Sequence, residues 1–554
     1  MRYSAVWFTL WWVVTGLVCA AAAAVSLRDT TLTWPVYQHT IEDNYTISDF
    51  SSDPSRIQTR SFSAKALENE YLRVILLPEF GGRILSIVYK PTGREQLYQN
   101  PVGLPYNVGR STFYYEWLMI YGGIFPTMTE PEHGKTWCIP WEYTVLRQSE
   151  DTVAIRMAQR DTIDFVTSSR WKYGKTGIQC DFDVTLTAGA TALRTDITLT
   201  NESSQPVSYE YWTNAALAPG SDIGAARCDR HAELVLPVAR VKIPAIWDGI
   251  ASREQKVSGK SDIYHFDKLR HFKHWSDWGI LYAWDTQTPP VWGAIHHGVR
   301  EGIFRISDNI ETPGVKVWTF GYEKSVAIDP FVTADPHRPF LEMWAGVSRE
   351  FFTPATLAAN AAKSWSAWYT PAVGLPGISL ATEHILLHAE TDKARYDAAV
   401  DTMTVSVDFF ATRPDSPVRL RLVAAAAASA APLAEETVIA SADEGNSLRM
   451  RAPAHTLCRD IAALRLQALS ETGVVLGAMD LPIAIDNRDS CQDHTAVVPR
   501  GEATVKRRGD HAPATYTIGG RKIAPARMRP GVYIHTTPGS DRHGIQVKLW
   551  KRPE

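Results

Sequence analysis

Residues suited to chemistry crowd between Phe113 and Tyr143, in the run FYYEWLMIYGGIFPTMTEPEHGKTWCIPWEY, which holds nine aromatics, four acids, three prolines and a lone histidine, His133. No helical or strand period accounts for it as core. Aromatic faces suit the apolar C–H faces of sugars, and carboxylates, imidazole and backbone beside glycine suit their hydroxyls. The competing reading is a set of long loops tied down by buried Trp and Tyr. If the segment is extended, Tyr115 and Trp117 share one face, and Tyr114 and Glu116 share the other. Glycoside hydrolysis needs a second carboxylate about 5 to 9 Å from the first, and Glu116, Glu130, Glu132 and Asp248 are the acids whose neighbourhoods allow it.

Outside this run, Arg83 of the GGRI turn is a candidate for sugar contact, with a salt bridge near a sheet edge as its plainer role. His296 and His297 are adjacent, so a strand places one ring on each face, and His297 is a weaker candidate for the site. Trp212 and Trp318 could stack on a sugar, although burial in a sandwich core is the more usual fate of such residues. The histidines lack metal-ligand spacing, and no two cysteines stand as CxxC. No metal or other cofactor is expected.

These residues belong to a chain of 554 residues that is 45% hydrophobic, enough for two or three domains with sizeable cores. Its 57 basic and 60 acidic residues give a net charge of -3, so no general field gathers nucleic acid or anionic lipid. Residues 1–24 read as an export signal: Arg2, an apolar run from about Ala5 to Cys19, then small residues. That run is too short to span a membrane and no second one follows. A periplasmic, cell-surface or secreted protein without a membrane span is expected, of undetermined oligomeric state. Cys458 and Cys491 could form a disulfide there, but the five cysteines beyond the signal leave at least one thiol free.

The elements read as antiparallel β. Strands with turns at Pro78 to Gly82 and Pro91 to Gly93 are followed by alternating sets: Val153, Ile155 and Met157; Phe182, Val184 and Leu186; Ile197 and Leu199. The best helical stretch is Pro354 to Lys363. A last strand near Ser364 to Pro376 closes a first domain, residues 25–375. Met403, Val405, Val407 and Phe409 alternate within a second domain, 376–491, read as an immunoglobulin-like β-sandwich. A polar linker, 492–514, leads to a small β segment, 515–554.

Leu67 to Arg83, Phe113 to Gly134, NESSQPVSYEYWTNAAL, PGVKVWTFG and FLEMWAG together resemble an uncharacterised bacterial family of galactose-mutarotase-like domains, over roughly residues 60 to 375. The resemblance implies an antiparallel super-sandwich whose concave face holds a sugar. Aldose epimerases of that superfamily pair a glutamate base with a histidine acid across the C1–O5 bond. Glu342 matches the glutamate and is the implied base, and His133 matches an early histidine-glycine pair and is the implied sugar ligand or proton donor, both catalytic candidates. Where the principal acidic histidine is expected, this chain has Asn214, which can hydrogen-bond a sugar but cannot donate a proton at ordinary pH. The C-terminal segment, with Gly519 to Ile523 and Arg529 to Ile534, is similar to type IX secretion sorting domains; an ordinary final hairpin pair is the alternative.

The expectation is therefore a secreted carbohydrate-active protein holding an oligo- or polysaccharide in a concave cleft. A glycoside hydrolase or lyase with Glu342 as acid/base comes first. Tyr115, Glu116, Trp117, Arg83, Trp212, Asn214 and His297 would bind the substrate. The alternatives are an aldose epimerase-like enzyme and a non-catalytic carbohydrate-binding protein.

Overall fold

The computed structural model describes residues 24–41, 47–49, 51, 53–105, 118–119, 122–136, 139–163, 173–275, 279–285, 287–319, 340–391, 402–414, 416–425, 431–453, 463–482, 514–517, 522–523, 531–536 and 545–550. Residues 1–23 of the expected export signal, Tyr115, Glu116, Trp117, Cys138, Cys458, Cys491 and all but the end of the expected linker lie outside them.

Two large antiparallel sheets form the body, one of 13 strands and one of eight. The smaller is built from the alternating segments. Val153, Ile155 and Met157, Phe182, Val184 and Leu186, and Ile197 and Leu199 are all buried, with their neighbours half-buried. They join one hydrophobic core with Tyr211, Ala215, Leu217, Val315, Val317, Leu341, Met343 and Ala345 of the larger sheet. Period-two patterning thus assigns one face of each sheet to the shared core, and the fold is the expected super-sandwich.

Pro354 to Lys363 is not helical. Ala355–Leu357 pairs with Val207–Tyr209, and Ala361–Val373 joins the eight-stranded sheet beside Leu193–Asn201. A short local preference yields there to ladders with two partners.

Two four-stranded sheets follow, between Leu380 and Pro482. Thr402–Ala411 places Met403, Val405, Val407 and Phe409 inward. This sandwich shares apolar contacts with the body: Leu386 and Phe410 belong to the main core, Phe410 meets Tyr89 edge-on at 6.3 Å, and the Tyr89 hydroxyl donates to the Ala442 carbonyl. A second compact unit comprises residues 447–449 and 499–554; among its described residues Ala514–Thr517, Lys522–Ile523, Gly531–Thr536 and Ile545–Trp550 form one antiparallel sheet. No helix among the described residues is long and apolar enough to cross a membrane.

Candidate functional site

Three neighbouring strands of the larger sheet set the site: Val207–Ser221, Leu341–Gly346 and Gly314–Thr319. Met343 pairs with Ala215 and Val317 on the core face. Glu342 and Trp344 therefore face the other way, Glu342 opposite Ala216 and Trp318, Trp344 opposite Asn214 and Lys316. Phe125 of Gly123–Thr129 pairs with Asn214, and Tyr282 of Gly279–Ala283 with Lys316, extending the same face. One face of the sheet collects Asn214, Glu342, Lys316 and an aromatic lining.

The lining is a second apolar cluster of Trp212, Tyr282, Trp344 and Phe351. Glycines make room for it: a Cβ on Gly346 would stand 2.3 Å from the Trp212 ring, and one on Gly314 would stand 2.9 Å from it. Trp212 is completely buried, meets Phe351 edge-on at 4.9 Å and donates its N–H to Glu210 at 3.4 Å. It is a floor for this surface rather than an open platform.

Glu342 is 2% exposed, and its Oε2 accepts the Trp344 indole N–H at 3.1 Å. Its Oε1 has no hydrogen-bond partner among the described residues, nor has either amide atom of Asn214. The Asn214 amide still lies near enough to favour the carboxylate form, although its geometry falls short of an ordinary hydrogen bond. Burial pushes the Glu342 carboxyl up to about 7, opposed by Lys316, Asn214 and Trp344. Burial brings the Lys316 ammonium down to about 8, opposed by Glu342 and Glu132. Buried polar atoms without partners are uncommon, and three on one surface mark where a polar ligand would sit.

The segment after Gly123–Thr129 brings Glu132 and His133 to the same place. Gly134 has φ +61°, and a Cβ there would stand 2.4 Å from Met128 N. Lys135 donates from its backbone to Met128 O at 2.8 Å, and its ammonium pairs with buried Asp161 at 2.8 Å. Asp161 also accepts from Thr129 at 2.7 Å and Thr176 at 2.6 Å. Thus pinned, the turn holds Glu132 in the left-handed region at φ +59°, a conformation that costs a non-glycine residue about 1 kcal/mol or more. The His133 ring meets Trp344 edge-on at 5.4 Å. Burial, with Lys316 and Arg83 adding to it, holds His133 down to about 3, so its imidazole is neutral at ordinary pH. The Glu132 carboxyl is raised by burial, opposed by Lys316.

The structure thus brings together Glu342, Asn214 and His133. Arg83 is fully buried, donating to Phe80 O at 2.9 Å and Gly122 O at 3.0 Å, with its guanidinium 4.4 Å from the Phe125 ring centre. Its neighbour Ile84 pairs with Ile124 on the core face, so Arg83 takes the same side as Phe125 and Asn214, near enough to act electrostatically on His133. His297 follows a strand of the other sheet and meets Glu233 at 2.6 Å. Glu130 accepts the Tyr173 backbone N–H at 2.8 Å, and Asp248 lies in the 3-10 turn Ala245–Ile250. Sequence reasoning passed over Lys316, although the alternation Val315, Lys316, Val317, Trp318 puts a lone lysine on the face opposite two core valines. Among the described residues no group of three potential metal ligands occurs.

Comparison with solved structures finds a TPR-domain containing protein from Parabacteroides distasonis, 18% identical, covering 65% of this chain and 58% of its own length, with a TM-score of 0.49. This chain therefore spans under two thirds of that protein. Galactose mutarotase-like proteins from Clostridium acetobutylicum (9% identical, 56% of this chain and 96% of that one, TM-score 0.38) and Lactobacillus casei (12%, 55% and 98%, TM-score 0.34) are also similar. The family model described as a domain of unknown function, DUF5107, matches residues 39–370. With more than half of its length matched, this chain belongs to the DUF5107 family.

Proposed function

We propose that the protein is a carbohydrate-active enzyme that holds an uncharged sugar on this face of the larger sheet and cleaves a glycosidic C–O bond, with Glu342 as its proton-transfer group. The observation that carries this reading is the trio of unpartnered buried atoms, Glu342 Oε1 and the two amide atoms of Asn214, on one face beside an aromatic floor. An amide that can both donate and accept suits a sugar hydroxyl, and a half-ionised carboxyl suits acid/base work near neutrality. Lys316 is flanked by two carboxyls, Glu342 and Glu132, a balance that disfavours an anionic ring and places elimination from an acidic sugar behind hydrolysis. The place of Glu342 on the late strand supports a second reading, ring opening at C1–O5 as in aldose epimerases.

A glycan panel scored for both binding and product tests this, using wild type and Glu342→Gln. New reducing ends from wild type, with binding but no product from the variant, support hydrolysis. Anomer interconversion without new ends supports the second reading. Equal binding by both proteins with no product from either makes the cleft a receptor. We also propose that residues 1–24 direct export, which places the sugar outside the cytoplasm; an intact Met1 in protein recovered from cells would refute this.

A further inference from the structure

Lys316 is 4% exposed, yet no hydrogen bond or ion pair holds its ammonium among the described residues. The nitrogen lies 4.2 Å from the Trp344 ring centre and 4.0 Å from that of Phe351. These faces stabilise a cation without occupying its N–H donors. Its charged surroundings are Glu342 on the adjacent strand and Glu132 on the turn, both felt electrostatically at longer range. Of the other titratable neighbours, His133 is neutral at ordinary pH and cannot serve as a strong acid there, and burial pushes the hydroxyl of Tyr282, the cross-strand partner of Lys316, well above its usual range.

Register places Lys316 diagonally from Glu342, because Lys316 pairs with Trp344 and Glu342 pairs with Trp318. Diagonal positions on neighbouring strands start about 7 to 8 Å apart, so the two side chains rise from the same patch of one face and act on each other electrostatically. Asn214, an amide, cannot supply a proton at ordinary pH. We propose that Lys316 is the general acid of this site, donating to the leaving oxygen while Glu342 takes the proton of the incoming water.

This deepens the reading of the site as a glycoside-cleaving one and rests on it. In the step, the anomeric C–O bond breaks and the leaving oxygen takes a proton from the Lys316 ammonium, which becomes an amine. Water forms the new C–O bond and gives a proton to the Glu342 carboxylate. Transfer of that proton from Glu342 to Lys316 on product release restores both groups, with one water consumed per bond. Glu132 keeps the amine protonated between turnovers. An ammonium lowered to about 8 and a carboxyl raised to about 7 are matched to these roles near neutral pH.

The test compares wild type, Lys316→Met, Lys316→Arg and Glu342→Gln on natural glycosides and on nitrophenyl glycosides, whose leaving group needs no protonation. Circular dichroism and thermal melting check that each variant folds. Lys316→Met is expected to lose about 100-fold or more in kcat on natural glycosides and little on nitrophenyl glycosides. Lys316→Arg should behave likewise, since a guanidinium keeps the charge but holds its proton. Equal losses on both substrates, or full activity of Lys316→Arg, would overturn the proposal. If Glu342→Gln is inactive on both substrates while Lys316→Met shows no leaving-group dependence, the hydrolase reading stands and this inference falls. If wild type cleaves neither kind of glycoside, both fall.

Discussion

Glu210 tests the electrostatics of this surface apart from any reaction. It pairs with Thr129 on the face of Val207–Ser221 that bears Asn214 and is fully buried. Burial raises its carboxyl to about 7, only partly opposed by the Trp212 N–H, the Phe352 backbone and Tyr173. A carboxyl with a folded pKa above its unfolded value binds more protons folded than unfolded between about 4.5 and 7. Stability is therefore fully supported below that window and declines as pH rises through it. Glu210→Gln, which keeps an acceptor for Trp212, should raise the denaturation midpoint at pH 8, on the order of 1–3 kcal/mol, and do little at pH 4. A midpoint gain independent of pH would contradict this account. If Glu342 works ionised and Lys316 protonated, the kcat profile of the wild type should be bell-shaped, with limbs near 7 and 8 that belong to the pair. A profile flat from pH 6 to 9 would rule out that assignment.

At the level of elements, this face of the sheet depends on glycine strands and a pinned turn. Gly346→Ala would drive a methyl into the Trp212 ring and should cost about 1–3 kcal/mol through overpacking. The denaturation midpoint and tryptophan fluorescence would report it together. Asp161→Ala would leave the buried Lys135 ammonium without its counter-charge, held only by the Ile163 and Gly174 carbonyls, next to the turn that bears Glu132 and His133. Loss of one partner of a buried pair costs about 3–5 kcal/mol, so the midpoint should fall by that order. Sugar affinity should fall with it, because the turn loses its anchor. Unchanged affinity in a destabilised Asp161→Ala protein would separate the turn from the site.

For the whole molecule, the second sandwich is part of what holds the first. Sequence alone suggests that deleting residues 376–554 affects solubility more than sugar affinity. The deletion would also remove Leu386 and Phe410 from the main core, the Ala442 carbonyl from the Tyr89 hydroxyl, and the Thr412 carbonyl from the Thr191 amide. The truncated protein should therefore melt well below the full chain, by several kcal/mol of lost burial. Equal melting temperatures would show that the two parts are independent.

Side-chain alternation specifies the β architecture and much of its core. Alternation in Val153 to Met157, Phe182 to Leu186 and Met403 to Phe409 states which side chains face inward, because a strand repeats every two residues. The sequence also singles out Glu342, Asn214 and His133, through motif order rather than any visible proximity. What these residues meet follows from long-range strand pairing. The register of Gly314–Thr319 against Leu341–Gly346 puts Lys316 beside Glu342, and long-range pairing converts the helical-looking Pro354 to Lys363 into strand. Burial of Arg83 against two carbonyls and the meeting of His297 with Glu233 likewise depend on partners distant in sequence. A local pattern encodes which face a side chain takes, whereas charge, proton affinity and contact at a site are set by neighbours that only the folded chain brings together.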